Sequence, residues 1–499
     1  MQLPILLDRE SRIPLQRQLF DSIRRMVLTR GLRPGDRLPA SRGLAKALDV
    51  SRVTVSLAYD QLTAEGYLHA RRGSGTFVST QIPDALAEAH GRSLPRAAQA
   101  RVRVSKYADR LQAEPAVGHV PSGAIDLSCF APDFDRFPMA EWRRTLSRRL
   151  RSSGRLLFQY AGDAYGYEPL RQAIATYVAK SRAIHCTAAQ VLIVSGSQQA
   201  LDLCARVLID EEDSVSIEKP GYPGTHGVFR AHGARVHTVP VDRDGIVVRR
   251  LKPGARVIYT TPSHQFPTGA SMSIARRMQL IDWARQHGSM LIEDDYDSEY
   301  RYHGAPLPAL YGLAADVPVV YIGTFSKVMY PGIRLGYLIA TNSLAHRFAA
   351  AKWMMDRHSS LLEQMALADF IKEGHLERHV RRMRRLYHQR RMALVSALDQ
   401  HFGEAAEILG DQAGMHILVR FRNLEGEPDP ARDGVRLTSA SKYYVSDAPA
   451  NEYVMGFTAV TERALREGVA RLCRAWSHPR AKGSLGGGQF YGEITLPHK

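Results

Sequence analysis

The chain of 499 residues has few cysteines and no long apolar run. Its four cysteines, at positions 129, 186, 204 and 473, lie far apart and form no CxxC pair. Neither a disulfide framework nor a zinc site is therefore indicated, which favours a reducing cytoplasm. No apolar run approaches eighteen residues, which argues against a membrane span. The short apolar run at the start is interrupted by charges and is too short for a signal peptide.

Lysine is also scarce, since only 11 of the 67 basic residues are lysines, in a chain of formal net charge +17. Such a charge indicates nucleic acid, anionic small molecules or merely an arginine-rich surface. One lysine stands out, because Lys327 follows the apolar run 319–322 and lies seven residues before Arg334. A lysine in this setting, among hydroxyls, can form a Schiff base with an aldehyde cofactor. A solvated lysine in a loop is the alternative.

The first eighty residues show the pattern helix, helix, helix, hairpin. Apolar residues recur at helical spacing from 14 to about 30, and a turn at 33–39 precedes a short second helix. Ser51 is placed to cap a third helix, which Gly66 ends. Two β-rich runs, 67–70 and 76–78, then flank a basic, glycine-rich tip. The order predicts a winged helix-turn-helix whose third helix enters the major groove, with a small helical interaction domain as the alternative.

Residues 31–78 resemble the GntR-type DNA-binding domain almost throughout. This resemblance implies double-stranded operator DNA as a partner. The positions that would touch the DNA are Arg42, Ser51, Arg52, Thr54, Ser56 and Gly73.

Composition divides the chain into four parts. Residues 12–79 form the predicted DNA-binding domain. Residues 80–122, rich in Ala, Arg, Gln and Pro, predict a flexible linker with at most one short helix near 83–90. Residues 123–478 form the large domain, and 479–499 predict a disordered tail.

The large domain alternates apolar, β-rich runs with amphipathic helices. That alternation predicts an α/β fold with a mainly parallel sheet and with functional groups at the strand ends. The runs are 191–194, 214–217, 235–238, 257–260, 290–292, 319–322 and 335–340.

Three of these strand ends carry chemistry. Ser195-Gly196-Ser197-Gln198 precedes a helix and can either cradle a phosphate or simply cap that helix. In the segment 293–297, Asp294 can keep a pyridine nitrogen protonated and Tyr296 can donate to a ring phenolate. A metal site is the alternative there. Tyr222, on a Pro/Gly turn, can stack on a planar ring or belong to an ordinary loop.

In this order the motifs resemble those of fold-type I pyridoxal-phosphate enzymes of the aspartate aminotransferase class, over roughly residues 125–476. The motifs are QYAGDAYGYEPLRQAI, GSQQAL, PGYPG, PTG, EDDYD and GTFSK. Preceded by the GntR-like head, the whole chain resembles a MocR-type regulator. The resemblance implies pyridoxal 5′-phosphate held as an aldimine by Lys327, with Asp294 on the pyridine nitrogen, Tyr296 on the phenolic oxygen and Tyr222 stacked on the ring.

The same resemblance implies a homodimer with a phosphate site shared between subunits. The contributing residues would be Ser197, Gln198, Thr324, Ser326 and Arg334, with Tyr160 of the partner subunit. It assigns no metal ligand and no catalytic residue.

The chain departs from the aminotransferase pattern at two positions. Phe266 stands where those enzymes commonly carry an asparagine before Pro-Thr-Gly, so one hydrogen bond to the cofactor oxygen is lost. Val454 stands where they usually carry the arginine that binds the substrate carboxylate, and an apolar side chain cannot replace it. Either Arg420 or Arg436 takes over, or the effector is not an ordinary α-amino acid.

The sequence therefore predicts a transcriptional regulator that senses pyridoxal phosphate, or a small amine or amino acid, through Lys327. The enzymatic alternative is an active aminotransferase with a DNA-binding appendage, and we expect at most partial transamination. A third hypothesis is a domain that uses the fold only to dimerise.

Overall fold

The computed structural model describes residues 3–11, 13–71, 73–80, 103–111, 123–127, 131–158, 163–304, 307–422 and 433–477. The chain divides into two compact units, 1–103 and 104–499. The predicted helix near 83–90 and the predicted tail 479–499 lie outside the described residues.

The first unit is a bundle of three helices followed by an antiparallel hairpin. Its core buries apolar side chains from every element, among them Leu19, Val55 and Val78. The winged helix-turn-helix arrangement predicted from the sequence is confirmed. The elements are α1 (Leu15–Leu28), α2 (Ser41–Leu48), α3 (Arg52–Ala64), β1 (Leu68–Arg71) and β2 (Gly75–Val78).

The second unit is organised around an eight-stranded sheet. In spatial order its strands are β4 (Val191–Val194), β11 (Gly336–Ile339), β10 (Val319–Thr324), β9 (Met290–Asp295), β8 (Val257–Thr260), β5 (Ser214–Lys219), β6 (Arg235–Asp242) and β7 (Gly245–Ile246). The five strands from β10 to β6 run parallel. The strand β11 is antiparallel to both of its neighbours, and β7 is antiparallel to β6. The prediction of a mainly parallel sheet is confirmed.

Helices cover both faces of this sheet. Alternate residues of one strand therefore pack in different cores. In β4, for example, Ile193 packs in one cluster and Leu192 in another. No helix in the described ranges is both long and apolar enough to cross a membrane. The helices are α4 (Lys106–Arg110), α5 (Met139–Ser152), α6 (Glu168–Arg182), α7 (Ser197–Leu208), α8 (Pro223–Ala231), α9 (Ile274–His287), α10 (Leu310–Leu313), α11 (Asn342–Asp356) and α12 (Leu361–Lys372).

The C-terminal part adds a smaller antiparallel sheet and two helices. The sheet has the order β12 (Ala406–Leu409), β13 (His416–Phe421), β16 (Glu452–Gly456) and β15 (Thr438–Ser439). The helices α13 (His375–Phe402) and α14 (Glu462–Ser477) pack against each other. A short strand, β14 (Val435–Arg436), pairs in parallel with β3 (Ile125–Asp126) near the start of the unit.

The short helix α4 lies within the predicted linker and was not expected from the sequence. It packs against the rest of the second unit through charge and ring contacts: Lys106 Nζ lies 3.6 Å from Glu211 Oε1, and Arg110 pairs with the same carboxylate. The Tyr107 ring meets the His232 ring edge-on at 5.1 Å. This end of the linker region is therefore attached to the larger unit.

Candidate cofactor site and candidate nucleic-acid interface

Three strand ends bring the predicted site residues to one edge of the large sheet. The strands β4, β9 and β10 run in the same direction, since β4 and β10 are both antiparallel to the strand between them. Residues that follow each of them, Ser197, Tyr296 and Lys327, therefore lie along the same edge.

Asp294 is a buried carboxylate with one unsatisfied oxygen. Its Oδ2 accepts a hydrogen bond from Tyr259 Oη at 2.9 Å, whereas no described residue donates to Oδ1. Burial raises the pKa of this carboxyl to about 7. Because an unsatisfied buried polar atom costs about 1–3 kcal/mol, the oxygen is suited to a donor that the polypeptide does not supply.

The segment before α7 has the features of a candidate anion site. Gly196 has φ +94°, which places the backbone N–H groups of the helix N-terminus at the edge of the sheet. The guanidinium of Arg334 lies against it, since a Cβ on Gly196 would be 3.4 Å from Arg334 Nη1. Close by in the chain, Thr324 Oγ1 accepts a hydrogen bond from Ser326 N at 3.2 Å. A helix dipole and a guanidinium together favour a phosphate-sized anion.

Three aromatic rings lie side by side near this edge. The Phe266 ring meets Tyr222 at 6.2 Å and Tyr296 at 6.1 Å, in both cases edge-on. Tyr222 Oη donates to Gln198 Oε1 at 3.2 Å, which links the aromatic group to the anion site. The predicted residues Tyr222, Gln198 and Tyr296 are thus parts of one connected group.

Lys327 is half-buried in the turn after β10. Tyr300 Oη donates to its carbonyl oxygen at 3.3 Å, which fixes the backbone of the turn. Burial, His264 and, to a smaller extent, Lys327 lower the pKa of His416 well below its usual value. The lysine amine is therefore electrostatically close to the same group of buried side chains. Tyr160, the remaining residue predicted for this site, lies outside the described residues.

Several site residues were missed by sequence reasoning because their partners are distant in the chain. Tyr259, on β8, reaches Asp294 on the neighbouring strand β9. His264 Nδ1 lies 3.0 Å from Asp297 Oδ2 and 3.1 Å from Tyr296 Oη. His264, Asp297 and His416 are all buried, and one potential ligand atom from each lies within 4.8 Å of the others. The only sequence signal for this group was the carboxylate-rich segment 293–297.

The environment of Val454 is apolar. Val454 packs in a buried cluster with Phe266, Leu418, Ala440 and Tyr443. The two arginines considered as replacements already pair with carboxylates. Arg420 Nη2 lies 2.6 Å from Glu452 Oε1, and Arg436 Nη1 lies 3.6 Å from Asp126 Oδ2.

The candidate nucleic-acid interface is the outer face of α3 with the hairpin. Ser51 Oγ accepts a hydrogen bond from Thr54 N at 3.0 Å and caps the helix, as predicted. Arg52 is exposed and Ser56 half-exposed on this helix, while Arg42 is exposed on α2 and Gly73 lies at the hairpin tip. The sequence analysis did not single out Val53 and Leu57, which are 66% and 48% exposed on the outer face. Apolar side chains on a groove-facing surface can contact thymine methyl groups.

Comparison with known proteins divides the chain in the same way. The family model for bacterial regulatory proteins of the gntR family matches residues 15–78, and the model for aminotransferase class I and II matches residues 122–473. The two matches define a class of protein in which a DNA-binding head precedes an aminotransferase-like body.

Individual relatives share this arrangement or its larger half. The probable rhizopine catabolism regulatory protein MocR of Rhizobium meliloti is 37% identical over 486 residues, 96% of this chain and 97% of that protein. The pyridoxine biosynthesis transcriptional regulator PdxR of Corynebacterium glutamicum is 32% identical over 95% of this chain and 99% of its own length. The structure of LysN, an α-aminoadipate aminotransferase from Thermus thermophilus, is 30% identical with a TM-score of 0.68, over 75% of this chain and 97% of that one. The chain belongs to the gntR family of bacterial regulatory proteins, as a MocR-type transcriptional regulator.

Proposed function

We propose that this regulator binds operator DNA through its first unit and pyridoxal 5′-phosphate through the sheet-edge site of its second. The observation that carries the cofactor assignment is Asp294 Oδ1, a buried oxygen to which no described residue donates. A protonated pyridine nitrogen is the kind of donor that this oxygen accepts, and a nearby amine, Lys327, completes the requirement for an aldehyde cofactor.

Each side chain of the site then has a defined task. The Lys327 amine would hold the aldehyde carbon, with the carbonyl oxygen leaving as water. Asp294 would hold a proton on the ring nitrogen, Tyr296 would donate to the phenolic oxygen and Tyr222 would pack on the ring. When bound, pyridoxal phosphate supplies an electron-withdrawing ring and a carbonyl that exchanges between amines.

The phosphate would lie at the N-terminus of α7. Backbone N–H groups near Ser197 and Gln198, the hydroxyls of Thr324 and Ser326 and the guanidinium of Arg334 supply donors for it. Tyr160 of the partner subunit would add one more, in a homodimer.

Sensing follows if ligand binding favours one arrangement of the regulator over another. A small amine or amino acid would take the place of the Lys327 amine and change the charge and packing at the sheet edge. Such a ligand shifts an equilibrium only by its difference in affinity for the two states. The two DNA-binding units of a homodimer would bind two half-sites of operator DNA in the cytoplasm. The shift would therefore change the affinity of the regulator for operators of a given half-site spacing.

DNA binding with and without the cofactor tests this proposal. We expect pyridoxal phosphate to change the affinity of the wild-type protein for its promoter DNA, measured by fluorescence anisotropy. Lys327→Ala should bind the DNA but no longer respond. Lys180→Ala, which removes an exposed lysine of α6, is the matched control and should respond as the wild type does. A Lys327→Ala protein that responds normally would remove the cofactor from the mechanism.

A working aminotransferase with a DNA-binding appendage is the second candidate. It is favoured by 31% identity to the 2-aminoadipate transaminase of Thermus thermophilus, over 71% of this chain. The buried Val454 and the ion-paired Arg420 and Arg436 argue against it, because turnover needs the substrate carboxylate held in place. Many turnovers per protein with an amino donor and a keto acid would establish the enzyme, whereas at most one conversion per site fits a sensor.

A further inference from the structure

Behind the Tyr296 hydroxyl lies a buried histidine–aspartate pair. His264 Nδ1 lies 3.1 Å from Asp297 Oδ1 and 3.0 Å from Oδ2, and both residues are 1% exposed. The same nitrogen lies 3.1 Å from Tyr296 Oη. One ring nitrogen therefore contacts a carboxylate and a phenol hydroxyl at once.

The direction of these hydrogen bonds follows from the carboxylate. An ionised carboxylate only accepts hydrogen bonds, and Asp297 Oδ2 also accepts from Met415 N at 3.1 Å. The Nδ1 of His264 must therefore carry the proton and donate it toward Asp297. Tyr296 Oη cannot donate to a protonated Nδ1, so it accepts a share of that proton, and its own hydrogen points elsewhere.

Backbone packing leaves the pair little freedom. Gly414 has φ +79°, and a Cβ there would lie 1.9 Å from His264 Cε1 and 2.7 Å from Asp297 Oδ2. Tyr302 Oη donates to the Gly414 carbonyl at 2.7 Å and holds this backbone in place. Only a glycine fits this close to the pair. Because the Gly414 backbone packs directly against the imidazole, it restricts rotation of the ring away from Asp297.

The neighbouring amide cannot take the place of the asparagine that Phe266 replaces. Gln265 Nε2 donates to the carbonyls of Pro220 and Phe266, at 2.9 and 2.6 Å. Its Oε1 accepts from Thr268 Oγ1 at 2.6 Å. Its Nε2 also lies 3.1 Å from Glu218 Oε2, so the whole amide is engaged by other protein groups and supplies no donor to the ring site.

We propose that His264 and Asp297 are positioning residues that turn the Tyr296 hydroxyl proton toward the phenolic oxygen of the cofactor. This inference rests on the proposed cofactor site. The pair compensates for the donor missing at Phe266 by making Tyr296 a fixed donor.

Other ionisable groups also face Tyr296 and bear on any pH dependence. Burial raises the pKa of Tyr296 well above its usual value, and the charges of Asp297, Asp294 and Glu218 add to that shift, together with Tyr259. The His416 ring lies 4.7 Å from that of His264. Tyr296 therefore stays protonated at neutral pH.

The cluster of His264, Asp297 and His416 also has the composition of a metal site. The Nδ1 proton of His264 excludes a metal bound to that nitrogen, but the Nε2 of the same ring, which no described residue contacts by a hydrogen bond, is left as a potential ligand. Metal content is therefore measured in the experiment.

The test is the pH dependence of the visible absorbance of the protein loaded with pyridoxal phosphate. A donor on the phenolic oxygen draws electron density from it and lowers the pH at which the Lys327 nitrogen loses its proton. We expect Tyr296→Phe to raise the midpoint by about one to two pH units, as the loss of one charge-assisted hydrogen bond requires. Asp297→Asn and His264→Gln should also raise this midpoint, because the Tyr296 hydroxyl is then free to donate its proton away from the cofactor.

A double variant separates positioning from a general effect on the site. If the pair acts through Tyr296, adding Asp297→Asn to Tyr296→Phe gives no further shift. His232→Gln, at a half-buried histidine whose Nε2 lies 2.8 Å from Asp202 Oδ1 instead, is the matched control and should leave the midpoint unchanged. A wild-type midpoint in Asp297→Asn, or additive shifts in the double variant, would overturn the inference. Wild-type protein that shows no visible band would instead contradict the proposed cofactor site.

A second readout needs no cofactor. Nitrogen-15 NMR of the cofactor-free wild-type protein should show His264 with its proton on Nδ1, and elemental analysis should find no stoichiometric metal. A proton on Nε2 of His264 alone, or a bound divalent metal lost in Asp297→Asn, would overturn the proposed role.

Discussion

Replacing Asp294 by asparagine isolates the role of the unsatisfied carboxylate oxygen. Asparagine keeps the shape of the side chain and can still accept from Tyr259, but it cannot provide a negative charge for a protonated ring nitrogen. Breaking a buried ion pair costs about 3–5 kcal/mol. At about 1.4 kcal/mol per tenfold change, the lower end weakens pyridoxal phosphate binding by about 100-fold.

The same substitution should have the opposite effect on the stability of the cofactor-free protein. The pKa of Asp294 is raised from 3.8 to about 7, so ionisation opposes folding. The free-energy cost that this ionisation adds to folding begins near pH 3.8, grows until about pH 7 and is constant at higher pH. Its upper bound is about 4 kcal/mol. Cofactor-free Asp294→Asn should therefore melt at or above the wild-type temperature at pH 8, and the difference should vanish as the pH falls toward 4.

Asp295→Asn provides the contrast, one residue along the same strand. Asp295 Oδ2 lies 2.7 Å from Arg182 Nε, and both side chains are buried. Its replacement should destabilise the protein by about 3 kcal/mol, by leaving a buried guanidinium poorly paired, without lowering cofactor affinity in the folded protein. The assays are absorbance titration of cofactor-free protein and thermal melts across pH. Wild-type affinity in Asp294→Asn would refute the assignment of this oxygen to the cofactor.

Three further outcomes are expected. Arg334→Gln should weaken binding of pyridoxal phosphate by about 10- to 100-fold, with little effect on binding of phosphate-free pyridoxal, because a charge-assisted phosphate contact is lost; equal losses for both ligands in a titration would contradict the phosphate role. Ser51→Ala should lower the stability of the first unit by about 1 kcal/mol in thermal melts, since Thr54 N loses its cap, and an unchanged melt would contradict it. Arg42→Gln and Arg52→Gln should each reduce the salt slope of DNA binding by about one if they contact phosphates, and an unchanged slope would exclude such a contact.

Much of the larger fold was predictable because buried strands correspond to short apolar runs in the sequence. Each of the seven predicted runs coincides with or overlaps a strand of the sheet. The direction of β11 was not predictable, because an apolar run reads the same in a parallel and an antiparallel strand. The helix α4 was missed because five residues are too few to establish a helical period, and its attachment depends on the distant Glu211.

The candidate site was predictable where a motif is continuous in sequence and not where it depends on tertiary contacts. Ser197 and Lys327 each follow a strand and Asp294 lies near the end of one, so strand ends alone place them at one edge. The Tyr259–Asp294 contact depends on which strands are neighbours, and the pair of His264 and Asp297 joins residues 33 apart. Whether Arg420 could replace an arginine at Val454 was also a question of tertiary structure, since its partner Glu452 lies on the adjacent strand.

The central claim is a covalent bond between one lysine and an aldehyde cofactor. Purified protein mixed with pyridoxal phosphate should turn yellow, and borohydride reduction followed by peptide mapping should place the label on Lys327. Protein that remains colourless, with no label on Lys327 after reduction, would contradict the account.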